Sequence, residues 1–273
     1  EYIPREVILR WSPGDGAIEH HIFFGTSFDD VNDANLSVYK GSQTGTTYNA
    51  GTLSFGVTYY WRIDEISEST QTPGLVWSFT LGDIIVVDDM ESYNKSDNYI
   101  FGTWADGASN WTSSILGLGT APGDPIHGGE QSMIYAYYNN INFGSGYYSE
   151  IEREYADPRD WTALGVKALT LCFYGNPNND VGDTEQMYVG LEDSSGPNSY
   201  TEVRYGDGKD EDMNDIKLTE WQEWDIDLQD FNDGGVDLTN IKKVYIGFGD
   251  KGNWMPAGSR VVYFDDIILY PTR

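Results

Sequence analysis

Two groups of carboxylates lie inside strand-like sequence, one near residue 90 and one near the C-terminus. Asp89 and Glu91 follow the apolar run 84–87, and Asp265 interrupts the apolar stretch 261–270. A carboxylate among apolar residues is costly unless a partner neutralises it. If the first and last strands of this region pair, the two groups meet, and Ca²⁺ takes about six to eight such oxygen ligands. The pattern therefore predicts a metal-stapled β-sandwich that holds a ligand rather than transforming one.

Aromatic residues in Gly- and Asn-rich stretches form a second kind of candidate site. Sugars bind to aromatic rings through their apolar C–H faces, while polar groups at the rim contact the hydroxyls. In a strand, adjacent tyrosines such as Tyr137 and Tyr138 place one ring on each face, so that one of them is exposed. The alternative for each of these aromatics is core packing. The predicted ligand contacts are Tyr138, Tyr148, Trp254, Trp111 and Trp104.

The sequence contains little that is typical of an enzyme active site. The only histidines are His20, His21 and His127, and the sequence has no Gly-x-Ser-x-Gly elbow, no zinc-binding His-Glu-x-x-His and no phosphate-binding Gly loop. A pair of glycosidase-type carboxylates is uninformative among 44 acidic residues. Cys172, the single cysteine, excludes an intrachain disulfide and has the setting of a buried thiol. We predict that the protein is not an enzyme.

The charge composition limits the kinds of molecule that the protein can bind. The net charge is −28 over 273 residues, so nucleic acid and anionic membranes are poor partners, because binding them depends on Lys and Arg. Neutral glycans, divalent cations and cationic surfaces remain. An aromatic content of 15% is enough to build a core. No apolar run approaches the length of about 18 residues that a membrane helix needs. Because the sequence starts with Glu, we expect that a leader or upstream domains have been removed and that the protein is secreted.

Residues 1–82 show short alternating runs separated by turn residues, which favours an antiparallel sandwich. Trp11, Leu53, Tyr59, Trp61 and Trp77 follow one another in an order that resembles a fibronectin type III domain. The resemblance implies a spacer domain with Trp11 and Tyr59 in its core. The four runs that we interpret as strands are 7–11, 21–24, 57–63 and 76–79.

Residues 83–273 begin after a short junction and carry a second β pattern, so the fold class is all-β with two tandem antiparallel β-sandwiches. The predicted strands are 84–87, 132–138, 147–154, 168–174, 186–191, 199–204, 221–227, 242–248 and 261–270. The stretches 87–91, 127–133, 168–175, 221–224 and 263–270 together resemble a galactose-binding-like jelly roll, the scaffold of many non-catalytic carbohydrate-binding modules.

This resemblance also implies a ligand set for calcium. In similar jelly rolls, structural Ca²⁺ is held by a carboxylate after an early strand, an Asp of the last strand and backbone oxygens of a Gly-containing loop. The matching positions are Glu91 with Asp89, Asp265, and the carbonyls from Gly128 to Gln131. Strand alternation makes Asp265 and Asp266 point in opposite directions, and we take Asp265 as the inward ligand. The alternative is that these are solvated carboxylates on an edge strand.

Together these observations predict a non-catalytic extracellular carbohydrate-binding or adhesion module with a structural calcium site. We expect weak affinity per site, about micromolar to millimolar, with tandem copies adding avidity. The alternative is a structural subunit of a bacterial cell-surface layer, adhesin or extracellular filament, in which an open sandwich edge accepts a strand from a neighbouring subunit.

Overall fold

The computed structural model describes residues 6–53, 57–68, 70–80, 84–142, 146–181 and 185–271. The chain divides into two compact units, Glu1–Asp83 and Ile84–Arg273. Every strand pairing in the described residues is antiparallel, and the helices are short, which confirms the predicted all-β class. No helix among those residues is long and apolar enough to cross a membrane.

The first unit contains a two-stranded sheet and a five-stranded sheet. The first sheet pairs β1 with β4, and the second has the order β3-β2-β5-β6, with β7 also paired to β5. The elements are β1 (Glu6–Arg10), β2 (Glu19–Gly25), α1 (Phe28–Asn32), β3 (Tyr39–Gln43), β4 (Thr47–Thr52), β5 (Thr58–Ile66), β6 (Gln71–Thr72) and β7 (Trp77–Thr80).

The core of this unit lies on both faces of the five-stranded sheet: one cluster contains Phe23, Val31 and Val38, and the other lies on the face of β5 that carries Tyr59. Tyr59 is buried with Leu9, Phe24 and Leu53, and its ring stacks on that of Phe24 with 5.4 Å between centroids. The structure therefore confirms Tyr59 as a core residue. Trp11 is only half-buried, because it lies just beyond the end of β1, so its prediction as a core residue is wrong.

The second unit is a larger sandwich of two sheets. One sheet has the order β10-β11-β18-β13-β16, with β8 also paired to β18, and the other has the order β15-β14-β17-β12-β9. The strands are β8 (Ile85–Asp88), β9 (Trp104–Ala105), β10 (Ser114–Gly119), β11 (Ser132–Tyr138), β12 (Ser149–Arg159), β13 (Ala168–Tyr174), β14 (Met187–Asp193), β15 (Tyr200–Arg204), β16 (Trp221–Asp227), β17 (Ile241–Phe248) and β18 (Ser259–Tyr270).

Short helical segments connect these strands. They are the α-helices α2 (Gly107–Asn110) and α3 (Leu228–Asp233), and the 3₁₀ turns Ile100–Gly102, Ala163–Gly165, Pro197–Ser199, Met213–Lys217 and Leu238–Asn240.

A single apolar cluster fills the space between the two sheets. Trp161 and Trp224 are fully buried in it, Trp221 is half-buried, and the Cys172 thiol is also buried. In β17, buried Val244, Ile246 and Phe248 alternate with residues on the outer face of the sheet, as a strand with one core face requires. This alternation fixes which side chains are available outside the sandwich.

Candidate functional site

The first and last strands of the second unit do pair, and this pairing brings the two groups of carboxylates together. In the ladder between β8 and β18, Asp88 lies opposite Ile267. The Asp88 carboxylate is buried and accepts hydrogen bonds from the Trp104 Nε1–H, at 2.8 Å, and from the Arg153 guanidinium, at 2.5 Å. Asp88 is therefore neutralised within the protein.

Glu91 meets the Gly-containing loop 127–131, as the calcium prediction requires. Its Oε1 accepts hydrogen bonds from the backbone N–H groups of Glu130 and Gln131, both at 2.9 Å. Asp89 Oδ1 accepts from the N–H of Glu91 at 3.3 Å. Gly129 lies against the Glu91 carboxylate with φ 69°, and a Cβ there would come within 2.3 Å of the carboxylate carbon. A side chain at this position would be strained and would displace the Glu91 carboxylate.

Asp265 and Asp266 reach the same loop, which strand alternation does not predict. Asp266 has φ 45°, a left-handed conformation that breaks the alternation, and both side chains are buried in a central strand rather than solvated at an edge. Asp265 Oδ2 accepts from the N–H of His127 at 2.9 Å, and Asp266 Oδ2 lies 2.8 Å from His127 Nδ1. Burial and the neighbouring charge of Asp266 raise the pKa of Asp265 to about 7.

The backbone groups that face Glu91 and Asp265 in this structure are N–H donors. The loop offers N–H groups to Glu91 and Asp265, including that of Gly128 at 3.2 Å from Asp265, whereas Ca²⁺ requires oxygens. Gln131 Nε2 donates to the carbonyls of Met90 and Tyr93. In the part of the chain that the structure describes, no group of three or more His, Cys, Asp or Glu side chains is arranged to hold a metal ion.

The predicted aromatic ligand contacts divide into one buried side chain and four at the surface. Trp104 is fully buried, because β9 pairs with β12 and directs the indole to Asp88. Trp104 is therefore a core residue, and its prediction as a ligand contact is wrong. Trp111 and Trp254 are 69% and 65% exposed, respectively. Tyr138 and Tyr148 are partly exposed.

Trp111 and Tyr138 line the same open cavity, whose volume is about 430 Å³. The described lining is almost wholly apolar or small and consists of Gly107, Ala108, Trp111, Thr112, Ser113, Ser114, Ile115, Tyr138 and Ile141. The hydroxyls of Thr112 and Ser114 both donate to the carbonyl of Glu150, and that of Ser113 donates to the carbonyl of Ile141. These bonds fix the cavity wall and leave the apolar surfaces facing outward.

The backbone of Trp111 is in an unusual conformation. It ends α2 with φ 62° and ψ 22°, in the left-handed region that bulky residues rarely adopt. The strain persists because Asp106 caps the helix and because Asn110 Oδ1 accepts the N–H of Thr112 at 3.1 Å. Strain held at an exposed aromatic is typical of a functional position.

Four chain segments meet at this end of the sandwich, and two of them carry the other two aromatics. The N–H of Ser113 donates to the carbonyl of Tyr148, and the N–H of Tyr138 donates to that of Ser113. The N–H of Tyr147 donates to the carbonyl of Asn253, directly before Trp254. These hydrogen bonds connect the segments that carry Trp111, Tyr138, Tyr148 and Trp254, which are far apart in sequence.

Sequence reasoning missed a basic residue that is surrounded by tyrosines on the outer face of the neighbouring sheet. Lys251 Nζ lies 2.6 Å from Glu150 Oε2 and 4.2 Å from the centroid of the Tyr200 ring. The Tyr245, Tyr188 and Tyr148 rings follow at 5.3, 5.5 and 6.0 Å. Burial raises the pKa of Glu150, although Lys251 opposes the shift. Alternation places Tyr188, Tyr245 and Glu150 on the outer face of their strands, but only the cross-strand register brings them together.

Comparison with known proteins gives remote likenesses only. No protein-family model and no curated protein matches the chain. An exo-beta-agarase of solved structure is 13% identical with a TM-score of 0.47, and the match covers 69% of this chain and 25% of that one. The chain thus spans about a quarter of the agarase.

Two glycan-binding proteins are also similar at this level. The surface glycan-binding protein PbSGBP-B from Prevotella bryantii is 12% identical with a TM-score of 0.42, over 98% of this chain and 77% of that one. The CBM22-1-CBM22-2 tandem domain of Paenibacillus barcinonensis Xyn10C is 10% identical with a TM-score of 0.39, over 97% and 77%.

Proposed function

We propose that this protein is a non-catalytic glycan-binding module that acts outside the cell. The ligand site is the cavity between Trp111 and Tyr138. The observation that carries the proposal is the exposed Trp111 ring, held in a left-handed backbone conformation at the wall of that cavity. Backbone strain is frequently stored at functional sites, and here it coincides with an exposed aromatic ring at a cavity.

The cavity has the size and chemistry for sugar rings. Its volume of about 430 Å³ falls within the range of small-molecule sites. Trp111 and Tyr138 offer rings for the C–H faces of a pyranose, and Ile115 and Ile141 extend the apolar wall. The hydroxyls of the wall bond to backbone carbonyls, so the site is rigid before ligand arrives and loses little entropy on binding.

Adjacent aromatics favour a glycan chain over a single sugar. Trp254 lies on a loop whose Asn253 carbonyl bonds to Tyr147, and Tyr148 follows directly. Asn139 fixes this junction, since its side chain donates to the carbonyl of Phe248 at 3.0 Å and accepts from the Ser149 hydroxyl at 2.7 Å. Rings on separate loops provide several stacking positions along one chain.

The cavity lacks the groups that glycoside cleavage requires. The described residues that line it include no Asp, Glu, His, Cys, Lys or Arg. Hydrolysis of a glycosidic bond uses two carboxyl groups that flank the scissile bond. Recognition without cleavage is the function that this lining supports. The net charge of −28 favours a neutral glycan, because acidic polysaccharides are repelled.

Affinity gel electrophoresis against soluble polysaccharides tests the proposal. We expect retardation by at least one neutral polysaccharide among uncharged cellulose derivatives, xylan, mannan and agarose, and none by alginate, an acidic control. The Tyr138→Ala variant should lose the retardation. Free migration in all four neutral gels, together with concentration-dependent assembly in sedimentation velocity, would instead support the structural-subunit alternative.

A further inference from the structure

The first unit contains a separate cavity lined by three tryptophans. Its volume is about 450 Å³, and Trp11, Trp61 and Trp77 contribute to its wall together with Arg10 and Glu65. The sequence predicts this unit to be a spacer, which requires no cavity of this kind. We infer that this cavity is a second binding site for a neutral glycan, independent of the site at Trp111.

The position of the tryptophans on the sheet explains why they are available. Trp61 on β5 lies directly opposite Trp77 on β7, with 6.4 Å between ring centroids. Tyr59 and Phe79 form the neighbouring pair on the same face, and Tyr59 is buried in the core beneath the sheet of β1 and β4. Two residues further along the sheet, Trp61 is partly buried against this cluster and its partner Trp77 is 60% exposed.

Polar groups flank the rings at fixed positions. Glu65 lies on the same face of β5 as Trp61, four residues on, and its Oε1 accepts the N–H of Gly14 at 3.3 Å. Its Oε2 lies 2.5 Å from His20 Nδ1. These contacts hold the carboxylate at the cavity, where its remaining lone pairs can accept ligand hydroxyls. Arg10 adds N–H donors to the same lining.

One buried donor at the cavity wall has no acceptor. Trp11 Nε1 is excluded from solvent, and it has no hydrogen-bond partner among the described residues. An unmet buried donor costs free energy. A rotation of the half-buried indole towards a bound hydroxyl would satisfy this donor, so the wall favours an occupant that carries oxygens.

These features indicate which class of ligand the cavity binds. Tryptophan faces beside fixed hydroxyl partners are the combination that recognises a pyranose, with its apolar C–H face and polar rim. The cavity volume is that of a small-molecule site. A stable protein interface instead buries an extended surface of about 800 Å² on each partner. One acidic and one basic side chain give the lining no net charge, which favours a neutral glycan.

Fluorine NMR of the full chain labelled with 5-fluorotryptophan tests this inference. The nine tryptophans give separate probes, and Trp61→Phe and Trp77→Phe variants assign the two relevant signals. The ligands are cellohexaose, xylohexaose, mannohexaose and laminarihexaose, each at about 10 mM, which detects dissociation constants into the millimolar range. We expect saturable shifts of both signals with at least one oligosaccharide. The shifts should persist in Trp111→Gly, because the second site does not depend on the first.

Three outcomes would overturn the inference. If Trp111 or Trp254 responds while Trp61 and Trp77 stay unchanged, the glycan site of the second unit stands and the site proposed here does not. If none of the tryptophans responds to any oligosaccharide, the site proposed here fails, while gel retardation of the parent protein decides separately on the site at Trp111. If the Trp61 and Trp77 signals move with protein concentration alone, and Trp77→Ala abolishes both this effect and self-association, the occupant is a second copy of the chain.

Discussion

Lys251 Nζ lies 2.6 Å from Glu150 Oε2, and the pair lies on the outer face of the sheet that contains β12, β14 and β17. The Tyr188 hydroxyl donates to the same carboxylate at 2.8 Å, and the Tyr188 ring covers Gly247, where a Cβ would come within 2.2 Å of it. Lys251 is three residues before Trp254. The ion pair therefore holds the loop of Trp254, a proposed ligand contact, against the sheet.

Removal of this anchor should destabilise the fold. In Lys251→Met, the buried Glu150 loses its cationic partner, and we expect the free energy of unfolding to fall by about 1–3 kcal/mol. Lys251→Met/Glu150→Gln should recover most of that loss, because no unpaired buried charge remains. Urea unfolding measures both, and Lys95→Met, at an exposed lysine of the same unit, is the control. Equal stability of Lys251→Met and the parent would contradict the assignment.

The strained backbone of Trp111 predicts that function is maintained at the expense of stability. A left-handed conformation costs a bulky residue about 1–2 kcal/mol, and glycine avoids this cost but loses more chain entropy on folding. Trp111→Gly should therefore be as stable as the parent or up to about 1 kcal/mol more stable. Leu164, at φ 56°, is a matched control that lies outside the cavity lining. Thermal unfolding of Trp111→Gly and Leu164→Gly should give the same result, and marked destabilisation of Trp111→Gly alone would show that its ring is structural.

The loss of fold stability at low pH should depend in part on Asp193. Burial alone would raise the pKa of this carboxyl, but hydrogen bonds from the N–H groups of Asp237 and Ser195 lower it to about 2 from 3.8. A lowered pKa stabilises the folded state above pH 3.8, and the contribution disappears as the pH falls through about 2. Asp193→Asn should lose about 1 kcal/mol at pH 7, and its deficit should shrink below pH 4. Exposed Asp210→Asn is the control for urea unfolding across pH.

The calcium prediction requires a direct test, because amide donors already face Glu91 and Asp265. A site saturated at 100 times its dissociation constant adds about 2.7 kcal/mol, which raises Tm by about 5–10 °C for a unit of this size. We expect no such difference between calcium and chelator in a thermal scan. A rise of that size, abolished by Glu91→Gln or Asp265→Asn, would show that the loop rearranges to offer its carbonyls.

The alternation of apolar and polar residues, together with the turn residues, was sufficient to predict the all-β class and most strands of the second unit. These patterns did not predict β10, because Gly117 and Gly119 interrupt its apolar residues and give it the composition of a loop. This omission mattered for the site, since β10 begins directly after the segment that carries Trp111 and contributes Ile115 to the cavity.

Other features of the site depend on backbone conformation and register, which local sequence does not specify. The positive φ of Asp266 turns two carboxylates towards one loop, against the rule of alternation. Trp104 has the Gly-rich neighbours of an exposed aromatic, yet pairing with β12 buries it against Asp88. The tyrosines around Lys251 come from separate strands and meet only through cross-strand pairing.

The most direct test of the proposed function compares glycan affinity in two matched variants. Isothermal titration calorimetry with the polysaccharide that retards the parent protein should give a dissociation constant about 30-fold weaker for Trp111→Gly, the effect of losing a hot-spot aromatic worth about 2 kcal/mol. Leu164→Gly, which removes a comparable backbone strain outside the cavity, should bind like the parent. Equal affinity of Trp111→Gly and Leu164→Gly would contradict the proposed site at Trp111 and Tyr138.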